Sequence, residues 1–158
     1  MTSGRRDHET KPEAARGGIL LSTDLEVITL ETLVLKTNTD VVVARQRVRA
    51  VAERLGFGAV KMTKLVTACS ELARNAVIYG RGGTATLRQL RTAGKIGLQV
   101  IFEDHGPGID NLHAALTDGF TTGGGMGLGL PGAKRLCNEF EIVTAAGEGV
   151  RVTIANWK

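Results

Sequence analysis

The chain has 158 residues, 42% of them hydrophobic and 23% charged, a composition typical of one globular domain with a substantial core. The formal net charge is +4, but 16 acidic residues nearly balance 20 basic ones and no long basic run occurs, which argues against a nucleic-acid partner. No apolar run approaches the roughly 18 to 20 residues that span a bilayer, and the N-terminus lacks the apolar core of a signal peptide. We therefore expect a soluble protein that is neither exported nor attached to a membrane.

The two cysteines indicate the compartment. Cys69 and Cys137 lie singly in apolar surroundings and lack CxxC spacing. Buried, reduced thiols are therefore favoured over a disulfide or a metal site, which predicts a cytoplasmic protein.

The first part of the chain divides into a tail and the start of a domain. Residues 1–18 mix both charges with Gly, Pro and Ser and lack periodicity, so a flexible tail is expected, followed by a single domain over residues 19–158. Residues 19–36 are rich in β-branched residues and leucine, which predicts one or two strands. Thr39 or Asp40 is then placed to cap a helix.

The stretch "DVVVARQRVRAVAERLGFG" predicts the first helix. Its apolar residues recur at helical spacing and predict a buried stripe: Val41, Ala44, Val48, Val51 and Leu55. Arg45 and Arg49, four residues apart, share the flank of this stripe. Solvated charge is the favoured interpretation of this pair, and a docking surface for a partner is the alternative.

The second predicted helix covers residues 60–80, "VKMTKLVTACSELARNAVIYG". Its apolar stripe consists of Leu65, Cys69, Leu72 and Ala76. Glu71 and Asn75 lie one turn apart on a different face, so their side chains point the same way. Spacing alone is more typical of two ordinary surface residues than of a site.

The rest of the chain predicts strands around a glycine-rich segment. The runs "TATLRQLR" and "IGLQVIFED" predict a hairpin ending at Asp104, and "EIVTAAGEGVRVTIANW" predicts a second hairpin turning at "AGEG". Between them, "LPGAKRLCNEF" predicts a short helix. Helices set apart from mostly hairpin strands predict an α+β fold, a two-layer sandwich of a mixed β-sheet and helices.

The segment over residues 103–136 carries nine glycines, a density expected where backbone approaches a ligand or moves. It lacks the Lys and Ser or Thr of a P-loop, and no buried strand directly precedes it as in a Rossmann unit. The remaining interpretation is a mobile loop whose backbone amides cover phosphates. The anion would lie at the amino end of a helix that begins near Gly129.

Three motifs in this order resemble a known superfamily. "ELARNA", "DHGPG" and "GGGMGLGLPGAKRL" are similar to the N, G1 and G2 boxes of the GHKL ATPases and kinases, which have the Bergerat ATP-binding fold. Within it, "ACSELARNAVIYG", "EDHGPGI" and "DGFTTGGGMGLGLPGAKRL" resemble the small serine/threonine switch-protein kinases of bacterial partner switching, of the RsbT type. The resemblance covers about residues 33–158.

The resemblance implies roles for individual residues. Asn75 would ligate Mg²⁺, and Glu71 would be the catalytic base that accepts the proton of the attacking hydroxyl. Asp104 would accept a hydrogen bond from the adenine amino group of ATP, which selects adenine over guanine. The remaining nucleotide-binding residues implied are two glycines of the turn below the base, two hinge threonines and the phosphate lid: Gly106, Gly108, Thr121, Thr122, Gly125, Met126, Gly127, Leu128, Gly129 and Leu130.

Two positions depart from the pattern of the superfamily. Where many relatives carry a basic residue after the magnesium asparagine, this chain has Ile78 and Tyr79, so the phosphate charge falls to Arg74 or Lys134. Val150 replaces a threonine that many members carry near the adenine. A water-mediated contact would be lost, and Thr153 should face the other side of the strand.

The resemblance implies a magnesium-dependent protein kinase that phosphorylates a serine or threonine of a STAS-type antagonist and, once released, activates a downstream regulator of phosphatase or cyclase type. The alternative is an anti-sigma factor that sequesters a sigma factor and phosphorylates its anti-anti-sigma factor. A third hypothesis is a nucleotide-gated binding module without catalysis, against which the presence of both Glu71 and Asn75 argues.

Overall fold

The structure is a computed structural model that describes residues 13–17, 24–117 and 129–158, with only the backbone described for 13–17. The elements in chain order are β1 (Glu13–Gly17), β2 (Glu26–Leu35), α1 (Asn38–Leu55), α2 (Ala59–Ile78), β3 (Gly83–Thr92), β4 (Lys95–Asp104), α3 (Leu112–Ala115), α4 (Gly129–Leu136), β5 (Glu139–Thr144) and β6 (Val150–Trp157). No helix in these described ranges is long and apolar enough to cross a membrane.

The described strands form one six-stranded sheet in the order β1-β5-β6-β4-β3-β2, and every neighbouring pair is antiparallel. The predicted two-layer α+β fold is confirmed, but the mixed sheet is corrected to an antiparallel one. Two antiparallel helices connect β2 to β3 and return the chain to the end where β2 finished. The parallel strands β4 and β5 are separated by β6, so they never pair.

The edge strand β1 lies within the segment for which the sequence predicted no regular structure. Its residues pair with β5 from Glu13 opposite Thr144 to Gly17 opposite Phe140. The sequence "EAARG" has little strand propensity, so the free edge of β5 supplies the hydrogen bonds that hold it extended.

Capping interactions fix both ends of α1. The predicted cap of α1 was wrong by a few residues: Thr37 is the N-cap, and Asp40 completes its capping box. Hydrogen bonds from the amides of Lys36 and Thr37 lower the pKa of the Asp40 carboxyl. Gly56 ends the helix in the left-handed conformation, at φ 85°.

One helical layer covers one face of the sheet. The predicted stripe of α2 is buried throughout, as are the first four predicted residues of the α1 stripe. They pack on sheet residues such as Leu87, Val100, Phe102, Ile142 and Ile154. Of the two free cysteines, Cys69 is buried and Cys137 partly so; burial raises the pKa of Cys69 well above its usual value and that of Cys137 to about 12.

The ends of five helices and strands meet at one end of the sheet. The antiparallel register puts the end of β4 at Asp104 beside the start of β3 at Gly83 and of β6 at Val150. Above them α2 ends and α4 begins: Gly80, directly after α2, packs on Asp104, and Gly129, the first residue of α4, lines a cavity together with Asp104. This end of the molecule therefore gathers the N and G1 motifs and the described part of the G2 motif, residues 129–136.

Candidate nucleotide site

The Asp104 carboxylate is fixed by backbone amides at the end of β4. Its Oδ1 accepts hydrogen bonds from the amide of Gly106 at 3.0 Å and from that of Val150 at 3.2 Å. Both amides lie near this strand end because the G1 turn follows β4 directly and β6 starts beside it. The carboxylate thus has a defined orientation, and it lines the cavity described below.

Glycines pack so closely around Asp104 that larger residues would not fit. A Cβ on Gly80 would overlap the Asp104 carboxylate, and one on Gly149 would overlap the Asp104 carbonyl oxygen. A Cβ on Gly106 would lie 2.7 Å from the Cα of Gly80. Gly108, at φ 73°, is held against the carbonyl of Ala145. The glycines therefore form the floor of the site rather than a flexible hinge.

A cavity of about 700 Å³ opens beside this floor. Apolar side chains form part of its wall, including Leu72 from α2, Phe102 from β4 and Val152 from β6. A few polar groups interrupt this apolar surface. An apolar slot with a small number of fixed polar groups suits a flat aromatic base carrying polar edges.

Six of the residues that the resemblance singled out line this cavity: Glu71, Asn75, Asp104, Gly108, Gly129 and Leu130. Gly106 lies just behind it, donating to Asp104. The positions expected for the hinge and most of the lid lie outside the described residues: Thr121, Thr122, Gly125, Met126, Gly127 and Leu128.

Side chains of α2 form the polar end of the cavity. Glu71 has 13% of its side chain exposed and forms an ion pair with Arg74, Nη1 to Oε1 at 3.0 Å. The helical spacing places Asn75 on the same wall, one turn beyond Glu71. Of the two cations considered for the phosphates, Arg74 lines the cavity, whereas Lys134 is exposed on α4 and is not among the lining residues.

Strand β6 contributes to the site through the backbone of Val150, one of the positions at which this chain departs from the superfamily pattern. Val150 donates its amide to Asp104 and lines the cavity together with Val152. Thr153 lies opposite Ile101 and Glu141, on the other face of the sheet. The expectation that Thr153 faces away from the site is confirmed.

A second depression lies between α1 and α2 and reaches Glu71 from the other side. Arg45, Arg49, Thr67 and Ser70 are among its lining residues, and its volume is about 580 Å³. Both arginines are exposed. Glu71 lines both depressions, so this basic groove adjoins the cavity at that residue.

Sequence reasoning missed Gly80 as a site residue. It closes the helix motif "ELARNAVIYG" and is buried, but it contacts Asp104 only after the chain has run through β3 and β4. The available signal was the glycine directly following the helix, which helix termination explains equally well.

Comparison with known proteins agrees with this geometry. Residues 34–155 match the family described as histidine kinase-like ATPase domain, which implies the use of ATP. The serine/threonine-protein kinase RsbT of Bacillus subtilis (strain 168) is 47% identical over 121 residues, covering 77% of this chain and 91% of the relative. A solved structure of the RsbU and RsbW domains of a Mycobacterium tuberculosis protein shares the fold, with a TM-score of 0.51 and 23% identity; the match covers 86% of this chain but only 33% of that one.

The order of the three motifs, the convergence of their described residues on one cavity and these matches agree. The chain belongs to the histidine kinase-like ATPase family, and within it to the serine/threonine-protein kinases of the RsbT type.

Proposed function

We propose that this chain transfers the terminal phosphate of magnesium-bound ATP to a serine or threonine of a STAS-type antagonist protein, and that its release then activates a downstream regulator. The observation that carries the proposal is that Glu71, Asn75 and Asp104 line one cavity. Each meets a different requirement of the reaction: Glu71 is a proton acceptor, Asn75 a metal ligand and Asp104 a group that recognises adenine.

Asp104 recognises the adenine. An ionised carboxylate only accepts hydrogen bonds, so it pairs with the exocyclic amino group of adenine and is repelled by the carbonyl oxygen at the same position of guanine. Gly80 and Gly106 let the G1 turn pack directly against the end of α2, which keeps the Asp104 carboxylate in place for this contact. Leu72, Phe102 and Val152 supply apolar surface for the ring.

The donor set fits magnesium. At nucleotide sites Mg²⁺ takes one or two protein oxygens and keeps phosphate oxygens and water as its other ligands. The side-chain oxygen of Asn75 is a neutral, hard ligand at the polar end of the cavity. When bound, the ion offsets the negative charge of the phosphates.

Glu71 is the proton acceptor. As the substrate hydroxyl oxygen bonds to the terminal phosphorus and the bond to the bridging oxygen of ADP breaks, the hydroxyl proton passes to the Glu71 carboxylate. Glu71 lies in the cavity wall one helical turn from Asn75, which places its carboxylate near the proposed phosphate end.

Residues 121–130 form the lid in this proposal. The amino end of α4, which starts at Gly129 with φ 62°, lies on the cavity and presents amide groups to an anion. Thr121 and Thr122 would be the hinge, and Gly125, Met126, Gly127 and Leu128 would cover the phosphates.

The protein substrate approaches along the groove between α1 and α2. Its basic rim, Arg45 and Arg49, attracts an acidic surface, and the groove ends at Glu71, where the accepting hydroxyl must arrive. The docking interpretation of this arginine pair thus has a geometric basis. Free Cys69 and Cys137 support a cytoplasmic setting for this exchange. The single domain predicted over residues 19–158 would also include β1, because this strand pairs with β5 in the same sheet.

The test is capture and phosphorylation of the partner. The purified chain should bind a STAS-type protein in the presence of ATP and Mg²⁺ and place phosphate on one of its serines or threonines, seen by mass spectrometry. Capture of a sigma factor instead would favour the anti-sigma alternative. Nucleotide-dependent binding without any transfer would leave a binding module and contradict the kinase proposal.

A further inference from the structure

Arg74 is the only cation among the described residues that line the cavity. Three acidic residues, Glu71, Asp104 and Asp110, line the same cavity. A nucleoside triphosphate brings several further negative charges into this surface, and Mg²⁺ neutralises only part of them. The positions where relatives carry a basic residue are occupied here by Ile78 and Tyr79, neither of which is a basic side chain.

Arg74 lies on the helix whose side chains form the proposed phosphate end of the cavity. It lies on α2, between Glu71 and Asn75 in the chain, and lines the cavity together with them. Its side chain is 44% exposed, so the guanidinium can exchange partners without being pulled out of a packed core. Its planar set of donors matches a phosphate at least as well as a carboxylate.

The contact between Arg74 and Glu71 occupies the proposed catalytic base. The guanidinium donates to Glu71 Oε1 at 3.0 Å, and Glu71 is much less exposed than its partner. A carboxylate oxygen that already accepts a hydrogen bond from a cation is a poorer acceptor for a hydroxyl proton. A ligand that draws the Arg74 guanidinium away therefore makes the Glu71 carboxylate available as the proton acceptor.

We propose that Arg74 is a positioning residue for which the terminal phosphate of ATP and the Glu71 carboxylate compete. Binding of ATP moves the guanidinium from Glu71 to the phosphate, so the base becomes available only when a phosphate is present to transfer. This inference rests on the proposed function. It adds a cation for the phosphates and a link between nucleotide binding and the readiness of Glu71.

The test is a double-mutant cycle in binding, measured by calorimetry with a hydrolysis-resistant ATP analogue and with ADP in Mg²⁺. The four proteins are the unmodified chain, Arg74→Gln, Glu71→Gln and the double variant. Arg74→Gln should weaken the ATP analogue by about tenfold or more and ADP much less, because a charge-assisted bond to the terminal phosphate is lost. Arg91→Gln, an exposed change at the opposite end of the sheet, is the control and should leave both affinities unchanged.

The second arm of the cycle tests the competition. Glu71→Gln should tighten binding of the ATP analogue about twofold to fivefold when Arg74 is present, since the guanidinium no longer has to leave a charged partner. In the Arg74→Gln background this gain should disappear. Equal tightening in both backgrounds would mean direct repulsion between Glu71 and the phosphates, and would overturn the proposal.

Failure of this inference is distinguishable from failure of the nucleotide site. If the unmodified chain binds ATP selectively and Arg74→Gln leaves the ratio of ATP to ADP affinity unchanged, the site stands and the role of Arg74 is rejected. If the unmodified chain does not bind ATP, the proposed function itself fails. Arg74→Lys, which keeps the charge but not the planar fork, should retain part of the preference for ATP.

Discussion

The Asp104 carboxylate accepts a hydrogen bond from the backbone amide of Val150, 3.2 Å away and 46 residues later in the chain. This contact joins the end of β4 to the start of β6 and orients the carboxylate at the cavity. The side chain at position 150 therefore matters less than its backbone. A valine can occupy this position without loosening Asp104.

The substitution Asp104→Asn separates the structural and the recognition roles of this residue. The asparagine oxygen can still accept from Gly106 and Val150, so thermal stability should change little. The new amide group presents a donor to the adenine amino group, and loss of that contact should cost about 1 to 3 kcal/mol of ATP binding. Thermal unfolding measures the stability, and calorimetry with ATP and GTP measures the nucleotide affinities. An equal affinity for the two nucleotides that the substitution leaves unaltered would exclude Asp104 as the adenine contact.

The substitution Gly80→Ala probes the floor of the site. Its Cβ would overlap the Asp104 carboxylate, which must then shift. Displacements of this kind typically cost about 1 to 3 kcal/mol, so nucleotide affinity should fall by about tenfold or more. Gly58→Ala is a matched control, because a Cβ there meets no atom within 4 Å. If both variants bind ATP equally well, the close packing of Gly80 on Asp104 has no part in binding.

Reversing the charge of Arg45 tests the groove between α1 and α2. Arg45→Glu should reduce phosphate transfer to a STAS-type substrate by about tenfold at low salt, because the groove no longer attracts an acidic surface. ATP affinity should stay unchanged, since Arg45 does not line the nucleotide cavity. Arg91→Glu makes the same charge change at the far end of the sheet and should leave transfer intact. If Arg45→Glu transfers phosphate at the normal rate, Arg45 is an ordinary solvated surface charge and not part of a docking surface.

The elements were predictable wherever local periodicity dominates. The stripe of α2 and both hairpin turns follow from side-chain spacing and from the glycines of the turns. The cap of α1 was misplaced because Asp40 also satisfies amides, but as the third residue of a box begun by Thr37.

The tertiary arrangement was less accessible from the sequence. Nothing local indicates that β6 inserts between β4 and β5, which makes the described sheet antiparallel rather than mixed. Nor does spacing show that Gly80 packs on Asp104, since two strands separate them in the chain. The ordered motifs nevertheless identified Glu71, Asn75 and Asp104, which share one cavity because α2 and β4 end on the same side of the molecule.

The most direct test of the kinase proposal compares binding and chemistry in two variants of one helix. Glu71→Gln should still bind ATP and Mg²⁺ but lose phosphate transfer to the partner by a factor of about 10² to 10⁴, the usual contribution of a general base. Asn75→Ala should instead weaken binding of the magnesium nucleotide itself. The measurement is nucleotide affinity and single-turnover transfer on the same preparations. A Glu71→Gln protein that transfers phosphate at the unmodified rate would contradict the assignment of Glu71 as the base.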